Sequence, residues 1–286
     1  IFPSHLSLEG LRLVLDCVHG AGYRVGPSVM RELGADVIVI GDAPTGVNIN
    51  QACGSTQLDA LQKAVVSERA DVGIALDGDG DRLIMVDHLG RVVDGDQLLF
   101  ILARESSTGF ASRSGIVGTL MSNLGLEQAL HANGIDFKRA KVGDRYVLEE
   151  MQKHGWVLGG ESSGHIIDLD YTTTGDGIVT ALQILRVMQM TGQSVDQLTQ
   201  AMKMYPQVMI NVPMEKACDV ADLPGVVQAI EEVEAQLKGR GRVLLRASGT
   251  EACIRVMVEG SDAIEVEACA KMIAGCVADA LQGAVV

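Results

Sequence analysis

Apolar positions along the chain fall into short runs separated by stretches with helical spacing, and these two patterns alternate. Leu11 to Asp16 is an apolar run ending in Cys17-Val18-His19-Gly20-Ala21-Gly22, which reads as a strand entering a glycine turn. A helical stretch to Leu33 follows, then a strand from Val37 to Ile40. Pro44-Thr45-Gly46-Val47-Asn48 reads as a loop. Leu58, Leu61 and Val65 recur at helical spacing, which predicts a helix over Gln57 to Glu68. Val72 to Leu76 predicts a third strand, running into Asp77-Gly78-Asp79-Gly80-Asp81-Arg82, and Leu83 to Val86 a fourth. Strands alternating with helices imply a largely parallel sheet covered by helices on both faces.

A second stretch with the same grammar, but no repeated sequence, runs from about Asp94. Its strands are predicted near Ile116 to Leu120, Phe137 to Val142, Trp156 to Leu158 and His165 to Leu169. Its helices begin near Gln97, Gly125, Asp144 and Asp176. From about Tyr205 the pattern changes. Met209 to Met214 reads as a strand. Pro224 opens a helix to Leu237, with proline in the first turn where its missing N–H costs nothing. Arg242 to Leu245 and Ile254 to Val258 are strands joined by a tight polar loop, and Asp262 opens a last helix to about Leu281. The predicted fold is α/β. Two mixed, mostly parallel α/β sheet domains, 1–93 and 94–203, precede a small α+β C-terminal domain, 204–286.

Composition narrows the function. The 286 residues are 47% hydrophobic but only 3% aromatic, so aliphatic side chains must fill the core. A net charge of −14 argues against a nucleic-acid partner, whose phosphate backbone needs a basic surface. It does not exclude a small phosphorylated ligand, which needs only a few local cations. Cysteines at 17, 53, 218, 253, 269 and 276 form no CxxC pair and complete no zinc pattern. Reduced thiols in the cytoplasm are the simplest reading. No apolar run is long enough to cross a membrane, so no membrane partner is expected. Ile1-Phe2-Pro3-Ser4 does not open a signal peptide. With no initiating Met, the chain is expected to begin inside a longer protein.

Three loops carry candidate chemistry. In Asp77-Gly78-Asp79-Gly80-Asp81-Arg82, glycines let the backbone curl so that three carboxylates converge on a cation. Clustered hard oxygens suit Mg²⁺. An EF-hand fails, because the sixth loop position is Arg82 and the twelfth is His88. An acidic solvated turn is the bland alternative, weakened by the apolar strand on each side. In Gly159-Gly160-Glu161-Ser162-Ser163-Gly164-His165, a carboxylate, hydroxyls and an imidazole suit the hydroxyls of a sugar. The same letters fit a hydrolase nucleophile elbow, but that motif needs a following helix, and Ile166-Ile167-Asp168-Leu169 reads as strand. Taken alone, His165 reads as a satisfied core histidine. In Arg246-Ala247-Ser248-Gly249-Thr250-Glu251, followed by Arg255, hydroxyls, backbone N–H groups and two arginines could grip a phosphate. A polar hairpin with exposed arginines is the competing reading.

Together and in this order, the loops resemble those of the α-D-phosphohexomutase family. DGDGDR is similar to its metal loop, GESSGH to its sugar-specificity loop and RASGTE with IR to its phosphate loop. VDGDQ at 93–97, GTLMSNLGLE at 118–127, KVGDRYVLEEM at 141–151 and TTTGDGI at 172–178 resemble the bacterial branch that handles glucosamine phosphates. The resemblance spans essentially the whole chain. It implies a cleft in which a phosphoserine donates its phosphoryl group to a sugar phosphate, through a sugar bisphosphate, with Mg²⁺ offsetting the charge. It implies an isomerase that feeds amino-sugar nucleotide and cell-wall precursor synthesis.

Carried over, Asp77, Asp79 and Asp81 would hold Mg²⁺ and Arg82 would contact the phosphoryl group. Glu161 and Ser163 would hold sugar hydroxyls, and Arg246, Ser248, Gly249, Thr250 and Arg255 the distal phosphate. His165 is the candidate for proton movement. The implied partners are a sugar phosphate and a sugar bisphosphate, and a homodimer is one allowed assembly.

Two departures stand out. A serine loop of the TASHNP type is absent from these residues, so the family's first domain is expected to be missing and this chain alone to be inactive. Ala252 stands where the family usually has proline after SGTE. A phosphomannomutase or phosphoglucomutase, and a non-catalytic sugar-phosphate binding module, are the alternatives.

Overall fold

The structure, a computed structural model, describes residues 1–106, 115–214, 224–248 and 251–283. Contacts divide the chain into two compact units, residues 1–122 with 126–203 and residues 123–125 with 204–286.

In the first unit the chain runs β1 (Arg12–Asp16), α1 (Val25–Glu32), β2 (Asp36–Ile40), α2 (Asp59–Glu68), β3 (Val72–Leu76), β4 (Leu83–Asp87) and β5 (Val92–Val93). It continues through α3 (Gly95–Ser106), β6 (Gly115–Thr119), α4 (Leu124–Ala132), β7 (Asp136–Ala140), α5 (Asp144–His154), β8 (Leu158–Gly160), β9 (Ile166–Asp168), α6 (Gly177–Thr191) and α7 (Val195–Thr199). Two sheets result, with orders β2-β1-β3-β4-β5 and β7-β6-β8-β9.

Both sheets are mixed. β1 pairs in parallel with β2 and β3, whereas β3–β4 and β4–β5 are antiparallel. In the other sheet β6 pairs in parallel with β7 and β8, and β8–β9 is antiparallel. Loop length decides the sign. The links 77–82 and 161–165 are too short for the crossover that parallel neighbours need, so the chain must turn straight back. Both candidate loops of this unit are therefore hairpin connections, each where the chain first turns back from the parallel strands of its sheet.

One hydrophobic core serves both sheets. It includes Leu13, Leu15, Ile74 and Met85 from the first sheet, Ile116 and Leu158 from the second, and Leu98, Phe100, Ile184 and Leu185 from helices α3 and α6. α6 carries an apolar surface nearly all round, which is the signature of a helix buried between layers. Its start is fixed by Asp176, whose Oδ1 accepts the N–H groups of Ile178 and Val179, both at 2.9 Å. Its end is fixed by Gly192 in the left-handed region. The β5 and α7 elements were not expected from the sequence, being two and five residues long.

In the second unit, β10 (Gln207–Pro213), α8 (Pro224–Leu237), β11 (Gly241–Ala247), β12 (Cys253–Gly260) and α9 (Ala263–Gly283) follow in order. The antiparallel sheet β10-β12-β11 packs one face on α8 and α9 through Ile254, Val256, Val258, Val233 and Ile273. Among the described residues, cysteines 17, 53, 253, 269 and 276 are free, and burial pushes the Cys17 thiol up to about 12. Cys218 lies outside the described residues.

Candidate functional site

The fully buried strand β3 delivers Asp77 at its carboxyl end. There one carboxylate oxygen from each of Asp77, Asp79 and Asp81 lies within 4.8 Å of the other two. Gly80 makes the return possible, because its φ of +82° is readily reached only without a side chain. The Arg82 N–H closes the loop on Asp77 Oδ1 at 3.0 Å. Arg82 Nε stands 3.8 Å from Asp77 Oδ2 and 3.8 Å from Asp81 Oδ1. Burial pushes the Asp77 carboxyl up, and the Asp81 carboxyl beside it adds to the push. A crowd of like charges with hard oxygen donors fits a small divalent cation such as Mg²⁺, which would reverse that repulsion.

The Glu161-Ser162-Ser163-Gly164 loop joins β8 to β9, so strand follows it and the nucleophile-elbow context is not met. Glu161 is half-buried and Ser163 exposed. His165 is buried, and both ring nitrogens are engaged. Nδ1 lies 3.1 Å from Asp81 Oδ2, and Nε2 accepts the Gly175 N–H at 3.3 Å. Since a backbone N–H can only donate, the shared proton of the neutral ring sits on Nδ1 and points at Asp81. In this arrangement the ring orients a carboxylate, and neither nitrogen is left to meet a substrate proton.

Backbone contacts join the two loops closely. Leu83 donates its N–H to Gly164 at 3.0 Å, Gly95 to Ser162 at 3.0 Å, and Gly177 to Gly80 at 2.8 Å. Arg82 and His165 form an isolated bridge. A side chain on Gly164 would stand 2.0 Å from the Leu83 carbonyl oxygen, and one on Gly95 2.1 Å from that of Glu161. Sequence reasoning had no role for Gly95, Gly175 or Gly177. A glycine flanking a helix start, as in VDGDQ and TTTGDGI, was the available signal, but only the fold shows which backbone each one meets.

A second concentration of unusual backbone lies beside the carboxylate loop. Six non-glycine residues have positive φ among the described residues, and four of them are Val18, His19, Asn50 and Ala52. The other two, Arg69 and Lys238, follow the last residues of α2 and α8, where such a conformation ends a helix. Left-handed backbone at a β-branched residue such as Val18 costs on the order of 1–3 kcal/mol and must be held by its surroundings.

In the second unit, Arg246 on β11 and Arg255 on β12 are direct cross-strand partners. Like charges placed opposite each other are destabilising unless something lies between them. The Nε of each is buried without a hydrogen-bond partner, although Arg255 Nη2 pairs with Glu251 at 2.8 Å. Burial pushes the Arg246 guanidinium down, and Arg255 opposite adds to it. Ser248 Oγ accepts the Glu251 N–H at 3.2 Å. Two orphaned guanidinium donors in a hairpin fit an oxyanion. Gly249 and Thr250 lie outside the described residues.

With these sites placed, comparison with known proteins is informative. Family models described as phosphoglucomutase/phosphomannomutase match residues 3–90 (alpha/beta/alpha domain II), 94–205 (alpha/beta/alpha domain III) and 209–275 (C-terminal domain). The chain belongs to the phosphoglucomutase/phosphomannomutase family. A phosphoglucosamine mutase of Photorhabdus laumondii is 58% identical over 276 residues, which is 96% of this chain and 62% of that protein. One from Pasteurella multocida is 55% identical over 276 residues with the same coverage. The chain thus spans 62% of the length of these curated relatives.

Among solved structures, an Aspergillus fumigatus N-acetylphosphoglucosamine mutase in complex with GlcNAc-6P and magnesium superposes with a TM-score of 0.74 at 22% identity, covering 94% of this chain and 66% of that one. A phosphoglucomutase/phosphomannomutase family protein from Burkholderia thailandensis gives 0.74 at 19% identity, covering 94% of this chain and 60% of that one. At these identities the likeness supports the phosphohexomutase fold alone.

Proposed function

We propose that this chain is the metal-, sugar- and phosphate-binding part of a phosphoglucosamine mutase, interconverting glucosamine 6-phosphate and glucosamine 1-phosphate through a phosphoserine and a sugar bisphosphate. The observation that carries the reading is the joining of the aspartate loop to the GESSGH hairpin through the His165–Asp81 contact and shared backbone hydrogen bonds. The 55–58% identity to phosphoglucosamine mutases favours the amino sugar over glucose or mannose phosphates.

In this reading residues 1–93, 94–203 and 204–286 are three family domains. Asp77, Asp79 and Asp81 hold Mg²⁺, which supplies charge neutralisation at the phosphoryl group. Arg82, beside two of these carboxylates, contacts the phosphoryl oxygens. Glu161 accepts from, and Ser163 exchanges hydrogen bonds with, the sugar hydroxyls. Arg246, Ser248 and Arg255, with Gly249 and Thr250, hold the phosphate that is not reacting. His165 orients Asp81. The nucleophilic serine is not among these residues, so the chain alone binds substrate without turning it over. The protein works in the cytoplasm, without nucleic acid or membrane, and supplies precursors of the cell wall.

The test is phosphoryl transfer by the full-length protein, with Mg²⁺ and a trace of sugar bisphosphate, on glucosamine, glucose and mannose 6-phosphates. Glucosamine 6-phosphate should have the highest kcat/KM. Preference for glucose or mannose would move the protein to another branch of the family, and no transfer to any of them would leave a binding module.

A further inference from the structure

We infer that Asp16, a buried carboxylate outside the aspartate cluster, is a positioning residue that sets the backbone of the metal loop; the inference rests on the metal reading of that loop. Asp16 ends β1 and is fully buried. Among the described residues it pairs with no lysine or arginine, and its two oxygens take backbone donors instead. Oδ1 accepts the Val18 N–H at 2.9 Å, and Oδ2 accepts the Gly54 N–H at 2.7 Å. A buried carboxylate whose two oxygens both accept backbone N–H groups fixes those two backbone segments in place.

What it holds are two loops, 17–22 and 48–55, which contain the four left-handed residues noted above. Asn50 donates its N–H to the Val18 carbonyl at 3.2 Å, tying the loops to each other. Both then grip the first residues of the metal loop. From the first, Ala21 donates to the Gly78 carbonyl at 2.9 Å, and a side chain on Gly20 would stand 2.4 Å from that oxygen. From the second, Ser55 donates to the Leu76 carbonyl at 3.0 Å, and Ile49 Cδ1 would be 2.9 Å from any side chain on Gly78.

Leu76, Asp77 and Gly78 are thus fixed from both sides. The Asp16 side chain is bonded to both gripping loops. It is not one of the three aspartates that converge in the metal loop. It acts through the carbonyls of Leu76 and Gly78, which flank Asp77 and decide where its carboxylate stands. An outer partner of this kind changes ligand geometry more than ligand identity.

The experiment measures Mn²⁺ uptake by the protein, with free ion counted by electron paramagnetic resonance, together with the unfolding midpoint. Asp87→Asn is the matched control. Asp87 is also buried and its Oδ1 also accepts two backbone N–H groups, those of Leu89 and Arg91, while its Oδ2 pairs with the Arg91 guanidinium at 2.7 Å and it lies at the far end of β4. Asp16→Asn keeps the size of the side chain but turns one acceptor into a donor facing an N–H. It should raise the Mn²⁺ dissociation constant about tenfold. Asp87→Asn should lower the unfolding midpoint and leave that constant unchanged.

Ile49→Ala removes a half-exposed side chain, so it keeps the fold if Asp16→Asn does not, and should weaken Mn²⁺ by a smaller factor. Unaltered Mn²⁺ binding in Ile49→Ala and in any folded Asp16→Asn protein overturns the inference. Equal weakening by Asp87→Asn also overturns it, by making the effect one of general stability. If the unsubstituted protein takes up no Mn²⁺, the metal reading itself falls, and this inference with it.

Discussion

The aspartate loop and the arginine hairpin are like-charged clusters of opposite sign, and the chain builds them in different ways. Three carboxylates converge in the first and two guanidinium groups face each other in the second, and in each one member, Asp77 or Arg246, is pushed toward its neutral form by burial and by the like charge beside it. The aspartate loop sits where several segments meet and is fixed by backbone hydrogen bonds and glycine contacts. The arginine hairpin depends on the register of two adjacent strands and on one side-chain pair, Arg255 with Glu251. A divalent cation needs ligands held to a few tenths of an ångström, so rigid backbone suits it. A phosphate can be gripped by long side chains that adjust, so a hairpin suffices.

That contrast can be broken most severely at the backbone. Gly164→Ala forces a left-handed residue (φ +92°) against the Leu83 carbonyl, where its Cβ would stand 2.0 Å from oxygen. It should destabilise the protein by about 3 kcal/mol or more, read from denaturant unfolding. Gly134→Ala, also left-handed (φ +72°) but with open space around it, should cost only about 1–2 kcal/mol. Equal losses would show that the two loops are not locked by that approach.

A smaller effect is expected at the hairpin. Arg255→Ala should weaken binding of glucosamine 6-phosphate by about 1.5–3 kcal/mol in a calorimetric titration. Arg240→Ala should change it little, because Arg240 is exposed and spends its guanidinium on Ser261 and Glu265. Equal effects would remove the phosphate site from the hairpin.

Much of this was legible in the sequence, for physical reasons. Val72–Leu76 and Pro224–Leu237 were expected with these same bounds, because a buried apolar run and an N-terminal proline are local signals. The first loop was legible because three carboxylates alternate with glycines over five residues, and the other two only together with it and in that order. The antiparallel pairing of β3 with β4 was less visible, since it follows from loop length and not from the strands themselves. The contacts of His165 were also hidden. Only the fold shows that Gly175 occupies one of its nitrogens and Asp81 faces the other. Asp16 was read as the end of a strand, and nothing within six residues of it announces Gly54 as a partner.

In the proposed reading Asp77, Asp79 and Asp81 form one divalent-cation site in a phosphosugar enzyme. The most direct test is the Mg²⁺-dependent rise in unfolding free energy, compared between the unsubstituted protein and Asp79→Asn. At a hundredfold excess of Mg²⁺ over its dissociation constant, a single site should add about 2.7 kcal/mol to the unsubstituted protein. Asp79→Asn should show no rise at the same concentration. An equal rise in both proteins would place the cation elsewhere and contradict the account.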